Sequence, residues 1–232
     1  MKNKMIYPLV LTVINFFLSG CSFTLNEASK EEEIRFPKNI ILMIGDGMGL
    51  GQISAAMYKN GGELSLEKSR YVGLLKTNSA SSIITDSAAG ATAFSTGEKT
   101  YNGAINMDID TLPLLPITVS LHTNGIKTGI VATSSVTHAT PACFYGNQVN
   151  RYGVDEDLAK QFISSNINVL IGGGKDYFNK RSDHLNLIDS LEENNYVVID
   201  SIIDKLKTII KNRKYTCQDI VTNLSIMTGM VM

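Results

Sequence analysis

Five side chains in this sequence are of types that do chemistry together, and they are spread over about a hundred residues. Ser87 stands in "ITDSAAGATAFSTG", between an aspartate, Asp86, and a run of alanines and glycines. The run reads as a small-residue helix over Ala88 to Phe94 with Ser87 in its first turn. There a hydroxyl lies in the positive field of unpaired backbone N–H groups, a favourable place for phosphate. Capping of that helix by Asp86 or Ser87 is the plainer use of the same residues, and it is compatible with a nucleophile at Ser87. Asp46 leaves an apolar run between two glycines in "GDGMG", where its carboxylate is either a turn residue or a hard oxygen ligand for zinc or magnesium. In "THATPA", His138 and Thr140 are two apart, so an extended segment would put both on one side to meet a metal. His138 alone reads more simply as a structural histidine. Arg151, in "NQVNRYG", carries a planar fork that matches phosphate oxygens, or it is an ordinary surface arginine. The chain has three histidines and none near Ser87 in sequence, so metal coordination is the other route to activating that hydroxyl.

The elements that must position these groups read as an α/β fold with a mostly parallel sheet flanked by helices. An unbroken apolar run at 40–44 and similar runs at 129–133, 168–174 and 196–200 suit strands buried on both faces. Helical spacing lies between the last three, in "VDEDLAKQFISSN" and "NLIDSLEENN", the first opening on acidic residues that suit a helix N-terminus. In such sheets functional groups collect at the carboxyl ends of the strands. On this reading "GDGMG", "TDSAAG" and "SSVTHATPA" all occupy strand ends or strand-to-helix turns. Two segments look like phosphate loops and are not: "GATAFSTGEKT" has Glu98 where glycine is needed, and "IGGGKD" lacks a hydroxyl residue after Lys175.

Composition bounds the function classes. The 232 residues are 44% hydrophobic with 21 Lys+Arg against 22 Asp+Glu, so the concentrated positive footprint of a nucleic-acid binder is missing. Residues 1–20 have the layout of a secretory signal, two lysines followed by an apolar run too short for a comfortable membrane span. "LSGC" resembles a bacterial lipobox, which would make Cys21 the lipidated first residue; a simple signal with a chance cysteine is the alternative. Lipidation would anchor the chain to a membrane of a bacterial cell envelope, on the periplasmic or extracytoplasmic face. Residues 21–36 read as a polar linker, 37–205 as the domain, and 206–232 match no motif. Cys143 and Cys217 are too few for a metal cluster or a disulfide scaffold.

In order, "NIILMIGDGMG", "TDSAAGATAFSTGEKTYNG", "VTHATPA" and "INVLIGGG" closely resemble bacterial alkaline phosphatases, from about Pro37 to about Asp200. The resemblance implies that Ser87 is the nucleophile that becomes a phosphoserine and that Arg151 clamps the phosphate, steadied by Asp86. It implies two Zn²⁺ and one Mg²⁺, with Asp46 shared between a zinc and the magnesium, Ser87 on zinc, Thr140 a direct magnesium ligand and His138 beside it. It further implies a small phosphomonoester substrate and a homodimer. Family members are longer and bring most zinc ligands from a C-terminal half, so this sequence reads as an incomplete N-terminal half. The expectation is an alkaline phosphatase-like hydrolysis that the 232 residues alone perform poorly or not at all. A phosphodiesterase or phosphomutase of the same superfamily is a second enzyme reading, and a non-catalytic envelope lipoprotein with half of the fold is the reading from another class.

Overall fold

The computed structural model describes residues 37–199, in two units that divide between Ile44 and Gly45. The leader at 1–20, Cys21, the whole linker at 21–36, residues 200–205 and the tail at 206–232 lie outside the described residues. In the first unit, residues 37–44 form no strand, and Ile40, Ile41 and Met43 are exposed. The expected strand at 40–44 is therefore corrected. Apolar β-formers make a strand only where a ladder partner takes up their backbone groups, and among the described residues this run has none.

The second unit is built from helices α1 (Leu50–Lys59), α2 (Ser87–Thr96) and α3 (Ile117–Thr123), then strand β1 (Gly129–Ser135), helices α4 (Ala139–Ala142) and α5 (Asp155–Phe162), strand β2 (Val169–Gly173), and helices α6 (Asp176–Asn179) and α7 (Leu187–Glu193). The two strands pair in parallel, Gly129 opposite Val169 and Val131 opposite Ile171, with an irregularity before Ser135 meets Gly173. Parallel neighbours need a crossover, and α4 and α5 supply it. This is the parallel sheet with flanking helices that the sequence leads one to expect. At the irregularity the chains nearly touch: a Cβ on Gly172 would lie 2.6 Å from Val136 Cγ1 and 3.1 Å from the Ala132 carbonyl. The "IGGG" run is thus a close strand contact, not a phosphate cradle. The expected strand at 196–200 does not appear as a named strand among the described residues.

Local sequence explains the helices. α5 opens on Asp155, Glu156 and Asp157, which complement the positive helix end, and buries Leu158, Ala159 and Phe162 on one face. α7 is capped by Asn186, whose side chain accepts from the Ile188 N–H at 3.2 Å. The core joins these faces. Phe162 is fully buried and meets Tyr145, Phe178 and Tyr196 with ring centroids 5.4, 6.3 and 5.9 Å away. Such edge-on and tilted contacts add to the burial of the rings themselves.

A polar lock ties α5 to α6 and the loop that follows. Arg181, nearly buried, donates from Nη1 to the carbonyls of Glu156 (2.6 Å) and Tyr177 (3.1 Å), while Nε and Nη2 reach the two Asp183 oxygens at 2.8 and 2.5 Å. Ser182 donates its N–H and hydroxyl to the Glu156 carboxylate at 2.8 and 2.7 Å. The bidentate bond from Arg181 pulls the Asp183 carboxyl down to about 2, and the Ser182 bonds hold Glu156 below its usual range.

A folded-state value below the ordinary carboxylate value means that the unfolded chain takes up a proton first. The contribution of Asp183 is therefore complete above about pH 4 and is lost as pH falls toward its folded value of about 2. Asp183→Asn should flatten the fall in unfolding free energy between about pH 4 and about pH 2, the unfolded and folded values, measured by urea denaturation of both proteins. Parallel slopes for the two would contradict the assignment.

Candidate functional site

Ser87 is the first residue of α2, and Asp86 is its cap. The Asp86 Oδ1 accepts from the Ala89 N–H at 2.9 Å. Gly97, left-handed at φ 81°, ends the helix three turns later, so the polar start and the glycine stop are both written in the sequence. Both plain capping and presentation of a hydroxyl are thus realised, by adjacent residues. Alanines 88, 89 and 91 are buried, which lets α2 lie close against α4. The half-buried Ser87 hydroxyl is held at the helix start, at its outer end.

Arg151 reaches this point from a loop 64 residues away. Its Nη1 donates to Ser87 Oγ at 2.6 Å and lies 3.4 Å from Asp86 Oδ2, and its Nη2 lies 3.3 Å from His138 Nε2. The Tyr152 ring flanks the guanidinium, with Cζ 5.8 Å from the ring centroid. An arginine fork beside a helix-start hydroxyl is an arrangement for a tetrahedral oxyanion. The guanidinium supplies charge and two donors, and the helix start supplies field.

"THATPA" departs from the extended reading. Ala139–Ala142 is the short helix α4, with His138 at its cap position, because Pro141 with its fixed φ falls within a first turn that needs no N–H from it. His138 and Thr140 therefore do not share one side by strand alternation; the helical turn sends them to different partners. Thr140 Oγ1 donates to Asp46 Oδ2 at 2.7 Å, while His138 faces Arg151. Asp46 itself sits in a turn closed by Met48 N–H on the Gly45 carbonyl, 3.1 Å, and no strand precedes it or Asp86. The structure thus joins Ser87, Asp86, Arg151 and His138 in one group and Asp46 with Thr140 in a second.

The donor chemistry bears on metals unevenly. Asp46 and Thr140 bring two hard oxygens together, a pair that fits magnesium. Zinc takes about four ligands, and among the described residues no group of three or more His, Cys, Asp or Glu gathers to hold an ion. For two zincs, Asp46 and Ser87 are not a sufficient set.

Sequence reasoning missed the residues behind these side chains. Asn106, fully buried, accepts from Ser95 Oγ at 2.7 Å and donates from Nδ2 to the carbonyls of Cys143 and Gly146, the second at 2.9 Å. It thereby ties α2 to the end of α4. Cys143 lies in the same seam, its Sγ bonded to the Ala88 carbonyl at 3.4 Å, and burial pushes its thiol up to about 12. Asn and Gly in "TYNGAIN" announce a turn but not these distant partners.

Comparison with known proteins gives one consistent result. The family model for alkaline phosphatase matches residues 37–220. Alkaline phosphatase 3 of Bacillus subtilis is 34% identical over 221 residues, covering 88% of this chain and 47% of that protein. The alkaline phosphatase of the Antarctic bacterium TAB5 superposes with TM-score 0.75 at 37% identity, over 85% of this chain and 56% of that one. A variant of the TAB5 enzyme with a histidine changed to glutamate, 36% identical with TM-score 0.70 over 81% of this chain and 51% of that one, holds magnesium in its M3 site. The chain thus spans about half the length of these relatives.

The Asp86 cap carries a stability cost that is separable from chemistry. Asp86→Ala should lower unfolding free energy by about 1–2 kcal/mol in urea denaturation, through the lost cap on α2. An unchanged denaturation midpoint would show that the helix does not depend on it.

Proposed function

This chain belongs to the alkaline phosphatase family, and we propose that the protein hydrolyses phosphate monoesters through a phosphoserine at Ser87. The observation that carries the reading is the 2.6 Å bond from Arg151 Nη1 to Ser87 Oγ, made at the capped start of α2. In the first step the Ser87 oxygen forms a bond to phosphorus as the ester oxygen's bond breaks, and the alcohol leaves carrying a proton. In the second step water displaces Ser87, restoring its hydroxyl and releasing inorganic phosphate. Arg151 binds phosphoryl oxygens in both steps and opposes the charge that builds on them. Asp86 keeps the guanidinium turned toward Ser87, and the exposed ring of Tyr152 limits its swing.

Asp46 and Thr140 are the residues that would hold Mg²⁺, with His138 two positions before Thr140 but turned to Arg151, and Asp46 and Ser87 would contribute to Zn²⁺. Bound zinc would supply a lower pKa for the serine hydroxyl and a hydroxide at neutral pH. Further zinc ligands are needed from outside the described residues, so what the described residues supply by themselves is phosphate binding rather than a complete zinc site. The reading carries with it a lipid anchor at Cys21 in a bacterial envelope and a homodimer. The retained pairing of Arg151 with Ser87 favours an enzyme's site over a non-catalytic lipoprotein.

The test is p-nitrophenyl phosphate hydrolysis with zinc and magnesium supplied, beside calorimetric titration with inorganic phosphate. Phosphate should bind, and Arg151→Ala should weaken it about tenfold or more. Whatever hydrolysis occurs should vanish in Ser87→Ala. Hydrolysis that persists in Ser87→Ala, or phosphate binding that ignores Arg151→Ala, would overturn the proposal.

A further inference from the structure

The segment that delivers Asp86 and Ser87 to the site has no strand to hold it. Residues 71–85 form no helix or strand, and Ile83 and Ile84 are exposed. Yet the position of Ser87 depends on this approach, because the backbone enters α2 through Thr85 and Asp86. What fixes it is one carboxamide. Asn102 Nδ2 donates to the Ile84 carbonyl at 2.9 Å, and Asn102 Oδ1 accepts from the Asp86 N–H at 3.2 Å.

A parallel neighbouring strand would take up the C=O of one residue and the N–H of the residue two further on. The Asn102 side chain makes both of those bonds here, at Ile84 and Asp86, although the chain bends at residues 83 and 84. Its own backbone is held in turn, since its N–H donates to Ser81 Oγ at 3.0 Å. The next residue completes the grip: Gly103 N–H donates to Asp86 Oδ2 at 3.0 Å, the oxygen that faces Arg151. Residues 102 and 103 therefore fix Asp86 twice, by its backbone and by its carboxylate.

We infer that Asn102 is a positioning residue for the phosphate site, acting through Asp86 on Arg151 and Ser87. Its hydrogen bonds go to Ser81, Ile84 and Asp86, so its effect on Arg151 and Ser87 passes through the backbone entering α2 and through Asp86. The inference rests on the reading of Ser87 and Arg151 as a phosphate site.

Three measurements on the full chain test it. In the unsubstituted protein the Asp86 amide, exposed by position, should exchange with solvent at least about tenfold more slowly than a free amide. Free exchange there would overturn the inference whether or not any variant folds. Asn102→Ala should weaken inorganic phosphate about tenfold while Asp86 is present. In an Asp86→Ala background the same change should weaken phosphate by clearly less than tenfold, because only the bonds to the backbone of residues 84 and 86 then carry its effect. Additive losses in the double variant, which a merely structural role would give, would overturn it, as would unchanged affinity in Asn102→Ala. A wild-type chain that binds no phosphate would instead remove the underlying reading of the site, an outcome distinct from binding that is insensitive to Asn102.

Discussion

One carboxylate sets the geometry of this protein's site. Asp86 spends Oδ1 on the start of α2 and Oδ2 on the Gly103 N–H and Arg151, so it belongs at once to the helix, to the loop behind it and to the guanidinium in front. The cap fixes the backbone of its neighbour Ser87, and the 2.6 Å bond from Arg151 Nη1 holds the hydroxyl itself, which is the condition for a nucleophile that must meet a phosphorus atom in line.

That arrangement survives only because the seam behind it is packed and paired. Small residues of α2 let it lie against α4, and where the two elements meet, polar groups are satisfied rather than excluded. The Asn106 N–H donates to Thr92 Oγ1 at 2.9 Å, and its carbonyl accepts from Asn147 Nδ2 at 2.6 Å, alongside the side-chain bonds already described. A buried amide with its groups bonded specifies a single relative placement of its neighbours, whereas an apolar contact would tolerate sliding. The aromatic cluster around Phe162 supplies the non-directional part of the stability. Asn106 and Asp86 supply direction.

How much of this was legible in the sequence follows the range of the interactions. Helix α2, its cap and its glycine stop are local, and they could be read directly; so could β1, β2 and the acidic start of α5. The run at 40–44 misled because apolar β-formers announce a strand without announcing a ladder partner. "THATPA" misled because alternation was assumed where Pro141 sits within a helical turn, and the consequence was functional: Thr140 meets Asp46 while His138 meets Arg151. Asn102 and Asn106 were invisible for the opposite reason. Nothing local marks an asparagine whose side-chain partners lie between 11 and 40 residues away. Among the long-range partners, Arg151, Asp46, His138 and Thr140 were legible through residue type and family resemblance together, not through any local signal for their pairing.

The central claim is that phosphoryl groups pass through the Ser87 oxygen. The most direct measurement is an acid quench of the protein during incubation with p-nitrophenyl phosphate, zinc and magnesium, followed by peptide mass mapping. The account predicts a phosphorylated peptide containing Ser87, with the modification on that residue. Phosphate on a different residue, or hydrolysis that proceeds with Ser87 never modified, would contradict it.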